Sequence, residues 1–356
     1  TYTGSTIMYQ GRLILEKAMT TTSSALDFRG GTIESAADQT ISIPVTLGGD
    51  PATFTGSSSF TLGNAGGALI TGTSTNSRTL VNTVASGKSL IITGAMTFTN
   101  TGAVTLTVAG SGTTSIQGVM SNGSSAAGLT FAGTGTLQLT AANTATGILT
   151  VNRSSVTLSG ANGSWKGTGT SYAVNAGGTL VLDNTTNNND RLLDAGAFNL
   201  MGGTLSLVGN ATTEAAGALK AYGSAAIAFS GTGSNTLTFA SLDSTFYTDA
   251  RSALNLVGVA DLGVTNKVKV TGVAAGFAPR VAVGADFATY VTADGFKAFS
   301  AYAAVTDINT SGADDVLKVT SAYSADDLTS SRYLRALAIS DASSLTVGGS
   351  TNATLS

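Results

Sequence analysis

Apolar residues along this chain alternate in short triplets, with large side chains at the first and third positions and a glycine or small polar residue ahead of them. Gly135-Thr136-Leu137-Gln138-Leu139, Gly178-Thr179-Leu180-Val181-Leu182 and Gly203-Thr204-Leu205-Ser206-Leu207 are three such units. A period of 2 marks a strand with one buried face, which predicts Leu180 and Leu182 inward and Val181 outward. Leu205/Leu207 and Leu137/Leu139 repeat that choice. From Val156-Thr157-Leu158 the next triplets begin at Leu180, Leu205 and Ile227, steps of 24, 25 and 22 residues. A period in the low twenties with no helical segment between strands is the length of one coil of a three-faced β-helix. Turn clusters such as Asn175-Ala176-Gly177-Gly178 and Asn187-Asn188-Asn189-Asp190 separate the triplets, and Gly and Asn tolerate the positive φ that tight corners need. The expected fold class is all-β, a parallel β-solenoid of roughly 16 coils, about 75–80 Å long at ~4.8 Å per coil.

The texture changes near Pro279. Residues 1–276 read as the repeat body. Residues 277–335 gather aromatics, among them Phe287, Tyr290, Phe296 and Phe299, and read as an embellished coil carrying a hairpin. Its turn is Asp294-Gly295, between Ala288 to Thr292 and Phe296 to Ser300, a strong two-residue hairpin signal. Triplets resume at Leu337-Ala338-Ile339 and Leu345-Thr346-Val347, so residues 336–356 are expected to return to the coil.

Only 10% of the 356 residues are charged, against ~25% in ordinary globular chains; Thr, Ser, Asn and Gly take the solvent-facing positions instead. Disorder is the alternative for such a composition, but 42% hydrophobic residues in regular triplets and a mean hydropathy of +0.26 argue for a packed interior. A net charge of -3 and a pI near 4.9 provide no basic footprint for nucleic acid. No apolar run approaches the ~18 residues of a spanning helix, so no membrane insertion by this chain is expected. With no His and no Cys, no metal and no cofactor are expected. The chain starts at Thr1 without a Met or a signal peptide, which reads as a processed product or a piece of something larger.

The opening string Thr1 to Leu15, TYTGSTIMYQGRLIL, resembles the autotransporter-associated β-strand repeat family, in which Tyr-Thr-Gly-x-Thr precedes a Gly-x-Leu-x-Leu strand. Asn143 to Leu158 echoes it, with Ala145-Thr146-Gly147 in place of Tyr-Thr-Gly. Asp286 to Tyr290 and Arg332 to Leu337 are similar to strings in long repeat-rich surface proteins that carry the motif. The matches cover about a third of the chain. The resemblance implies a right-handed parallel β-helix of the passenger type, secreted or displayed at the cell surface. The family's C-terminal membrane barrel has no counterpart among these residues.

Carboxylates are the remaining candidates for chemistry. Asp314-Asp315, Asp326-Asp327 and the group Asp183, Asp190 and Asp194 near Arg191 are the richest; adjacent residues on a strand face opposite ways, so the paired aspartates make poor acid/base couples and read as solvated turns. Asp183, Asn184, Asn187 to Asn189 and Asp190 contain enough oxygens to contribute to a calcium site, but the glycine-rich nonapeptide of calcium-binding rolls is missing. Trp165 reads as a corner plug or a sugar platform. Neither end carries a capping helix, and an open solenoid end presents unpaired backbone groups. The leading expectation is therefore a non-enzymatic structural subunit that self-associates head-to-tail into an extracellular fibre. The interface candidates are Thr1, Tyr2, Ile7, Leu13, Leu15, Phe287, Tyr290, Phe296, Phe299, Leu345 and Val347. A glycan-binding adhesin passenger, meeting a glycan or a neighbouring surface protein, is the alternative, and a polysaccharide-cleaving β-helix the third.

Overall fold

The alternating triplets form strands wherever the structure is described, and successive coils lay them side by side. The computed structural model describes residues 4–20, 25–49, 51–63, 69–71, 76–98, 101–186, 190–258, 261–303, 311–319, 323–324, 334–339 and 345–346. Two long sheets run the length of the stack and a third covers its first part. One has twelve strands, from Arg12–Ile14 to Asn266–Val270, and every neighbouring pair in it is parallel. A second has thirteen strands, starting at Gln39–Ile41. A third has six, from Thr6–Met8 to Met120–Ser121. The molecule is an all-β parallel solenoid of about 13 turns.

Register follows the triplets. Val156 stands beside Leu180, Leu180 beside Leu205 and Leu205 beside Ile227, the 24-, 25- and 22-residue steps of the sequence. Leu137, Leu139, Leu180, Leu182, Leu205 and Leu207 are all buried, and Val181 is half-buried on the outer face. Aromatic residues extend the core, with Phe54 edge-on to Phe28 and Phe60 at 5.8 and 5.4 Å, and Phe198 between Tyr172 and Phe239 at 5.4 and 6.0 Å.

The coil number is lower than the roughly 16 expected, for two reasons. The step between rungs varies, from 19 residues at Leu137 and Val156 to 31 at Leu237 and Val268. The parallel stack also ends at Val283: a tight turn through Gly284, at φ +61°, sends Asp286–Val291 back antiparallel to Gly276–Val283. At ~4.8 Å per turn the stack is about 60 Å long. Pro279 lies where the antiparallel register shifts, between Ala278 and Ala282, because proline has no amide to donate to a ladder.

Asp286–Val291 then pairs antiparallel with Gly295–Ala298, but the expected two-residue turn is corrected to three, Thr292-Ala293-Asp294, because Gly295 at φ +80° already pairs with Val291. This hairpin folds over the last rung of the twelve-stranded sheet. The Tyr290 hydroxyl donates to the Val270 carbonyl at 2.7 Å and accepts from the Val270 amide at 3.0 Å, and Phe296 is fully buried in the main core. The expectation of an uncovered core at this end is thereby corrected: Tyr290 and Phe296 seal it. Further on, Val316–Val319 and Ala336–Ile339 pair in parallel with a step of 20 residues, and Tyr323–Ser324 with Leu345–Thr346. These strands form separate two-stranded sheets rather than extra rungs of the long ones.

The third face changes character midway. Beyond Met120–Ser121 its strands give way to a polar corner, in which Asn143 Oδ1 accepts from the Met120 amide at 2.8 Å and Ala142–Asn143 pairs with Ser164–Trp165. Trp165 bridges on to Leu192. Buried amides do the same work at other corners: Asn82 donates to the Thr113 carbonyl and accepts from the Val84 amide, and Asn235 accepts from the Thr212 amide.

Candidate functional site

The acidic run singled out in the sequence surrounds a buried arginine. Arg191 is fully buried; its Nε donates to Asn184 Oδ1 at 2.6 Å, and its two Nη atoms donate to the carbonyls of Gly163, Gly160 and Asp183. Amide and carbonyl oxygens of this kind suit a hard cation, and here the guanidinium supplies the positive charge they need. The Asp183 carboxylate instead accepts from the Thr185 amide and hydroxyl at 3.1 and 2.7 Å. Asp190 is exposed and pairs with Lys166, and Asp194 is exposed. Asn187 to Asn189 lie outside the described residues. No three His, Cys, Asp or Glu side chains gather as a metal site among the described residues.

Two members of this corner escaped the sequence reading. Glu214, 1% exposed, accepts from the backbone amides of Arg191 and Leu192 at 2.9 and 3.1 Å. Burial pushes its carboxyl up to about 8, with the Asp190 side chain acting in the same direction and the two amides opposing. Tyr172 donates to the Trp165 carbonyl at 2.6 Å and accepts from the Leu193 amide at 2.7 Å; burial raises its phenol. The available signal was a lone glutamate inside the alternating stretch Thr213–Tyr222. Trp165 is fully buried, with Nε1 on Thr170 Oγ1 at 2.9 Å, so it plugs the corner and offers no sugar platform. Arg191, Glu214 and Tyr172 each bond main-chain groups of neighbouring segments, which makes the cluster a clamp between coils.

The other predicted residues scatter. Asp315 accepts from the Gly312 amide at 2.8 Å in a turn beside exposed Asp314; Asp326 and Asp327 lie outside the described residues. Of the interface candidates, Thr1, Tyr2 and Val347 also lie outside them, and Leu345 belongs to a short paired strand. Ile7 is 51% exposed and Leu13 is half-buried against the core, while Leu15 is buried. Phe287 and Phe299 pack edge-on against Phe277 at 5.5 and 5.1 Å within the chain. Tyr290 and Phe296 are core residues, not displayed ones.

A cleft of about 630 Å³ opens beside the closing hairpin, where no sequence motif pointed. Its walls include Asp243 and Tyr247 from the corner after Asn235–Leu242, the turn around Gly272, and Phe277, Pro279 and Arg335. Thr245 donates its amide and hydroxyl to Asp243, holding that carboxyl below its ordinary value. Phe246 is buried and packs edge-on to Tyr247 at 5.1 Å, and Tyr247 is 44% exposed. The Arg335 guanidinium lies 5.1 Å over the Phe277 ring. No family model, no curated protein and no solved structure matches this chain.

Proposed function

We propose that the chain is a structural element of a secreted or cell-surface protein, a stiff solenoid rod that joins other copies end to end. The observation that carries the reading is the twelve-stranded sheet, parallel at every pairing between residues 12 and 270 over one continuous apolar core. Such a ladder resists bending because each coil is bonded to both neighbours. The right-handed wind and the exported setting follow from the resemblance of Thr1 to Leu15 to the autotransporter-associated repeat.

The joint we propose uses Thr6–Met8 and Arg12–Ile14, the outermost strands of their sheets among the described residues, which carry the exposed side chains Ile7 and Ile14 with exposed Tyr9 between them. Because Tyr290 and Phe296 close the far end of the long sheets, the partner edge in the next copy is Ala336–Ile339, a parallel strand with Ile339 exposed. Rung-to-rung addition forms a heterologous contact that extends without closing. Electron microscopy of the purified chain at rising concentration tests this. Rods that lengthen end to end, and that shorten to single units when Ile14→Lys charges the edge, are expected; dispersed single rods at every concentration would reject assembly.

A further inference from the structure

The repeat is most disturbed where the cleft lies. The step from Leu237 to Val268 is the longest between rungs, 31 residues against 23 from Ala216 to Phe239, and its extra residues form the turns from Asp243 to Arg251. The exposed turn Thr271 to Gly276 and the chain at Arg335 complete the walls. In solenoids, insertions that depart from the repeat line one face and often form the binding surface.

The chemistry of the walls is specific. Arg12, Arg29 and Arg251 each pair with a carboxylate, and Arg78, Arg191 and Arg280 each reach main-chain carbonyls. The exposed Arg153 and Arg335 side chains make no hydrogen bond among the described residues, and of the two only Arg335 lies over an aromatic ring, that of Phe277, at the cleft wall. The planar fork of Arg335 is thereby oriented and left open for a carboxylate. Among the same walls Tyr247 is 44% exposed and held edge-on by buried Phe246, and Asp243 is fixed by Thr245 with acceptor capacity to spare. An aromatic platform beside a fixed hydroxyl acceptor suits a sugar ring, and the volume falls within the ~300–1,000 Å³ of small-ligand sites.

We propose that this cleft binds an acidic saccharide, with Arg335 taking the sugar carboxylate, Tyr247 stacking on a pyranose face and Asp243 accepting its hydroxyls. The site does not depend on the assembly reading, since a rod that never joins another can carry it.

Calorimetric titration of the whole chain with tetragalacturonate, maltotetraose and tetraglutamate tests the proposal. Only tetragalacturonate is expected to bind, and Arg335→Gln and Tyr247→Ala should each weaken it by at least about tenfold, the loss of one charge-assisted or stacking contact. Both side chains are exposed, so melting temperatures should stay at the wild-type value; were Tyr247→Ala to melt early, Arg335→Gln and the charge reversal Arg335→Glu would decide alone. Absence of binding at millimolar tetragalacturonate would overturn the proposal. So would equal binding of the neutral sugar or the acidic peptide, or unchanged affinity in Arg335→Gln.

Discussion

At Gly110 a single methyl group decides whether two coils can close together. Its φ is +101°, and a Cβ there would stand 2.0 Å from the Asn82 carbonyl oxygen, whose side chain braces the same corner. Gly87 has a φ of +78° but open space around it. Gly87→Ala should therefore cost only the left-handed penalty, about 1–2 kcal/mol, while Gly110→Ala adds a backbone collision and should cost about 3–5 kcal/mol. Urea unfolding of the two variants checks the difference, and equal losses would contradict the close approach. Glu214 is the other telling residue. Its ordinary value of 4.5 rises to about 8 in the fold, so the native state holds a proton that the unfolded chain has released between those values. The stability this confers is full below about pH 4.5 and is lost as pH climbs through about 8. Thermal melts from pH 5 to pH 9 should show the midpoint falling in the wild type and a flatter profile in Glu214→Gln; parallel profiles would remove Glu214 as the cause.

Among the elements, the strand Gly178–Asp183 shows what alternation makes legible. Its inward residues, its period and its neighbours Ser154–Leu158 and Thr204–Asn210 all follow from the spacing of apolar positions. Leu180→Asp should cost at least about 3 kcal/mol, because an unpaired charge is forced into the core. Val181→Asp, on the half-buried outer face, should change stability by about 1 kcal/mol or less. Chemical denaturation measures both, and a tolerated Leu180→Asp would refute the inward assignment. The hairpin was legible only in part. Asp294-Gly295 marked the place of the hairpin but not the length of its turn, which takes three residues, 292–294, and the pairing of Asp286–Val291 with Gly276–Val283 and the docking of Tyr290 on Val270 carried no local signal, since both depend on residues brought together by the preceding coils.

Over the whole molecule, local rules repeat until something interrupts them. Insertions and the closing hairpin shorten the rod from roughly 16 expected coils to about 13 turns, so single particles in the microscope should measure about 60 Å along the long sheets. The fold class, the parallel stacking and the inward leucines were determined by the sequence itself, because a period-2 pattern repeated every twenty-odd residues has one economical way to bury its apolar face. What only the tertiary structure decided is where that pattern stops and what gathers there. Arg191 meets the carbonyls of Gly160 and Gly163, Glu214 the amides of Arg191 and Leu192, and Arg335 the ring of Phe277. These contacts join residues about 20 to nearly 60 positions apart, and their burial and pairing exist only once the coils are stacked.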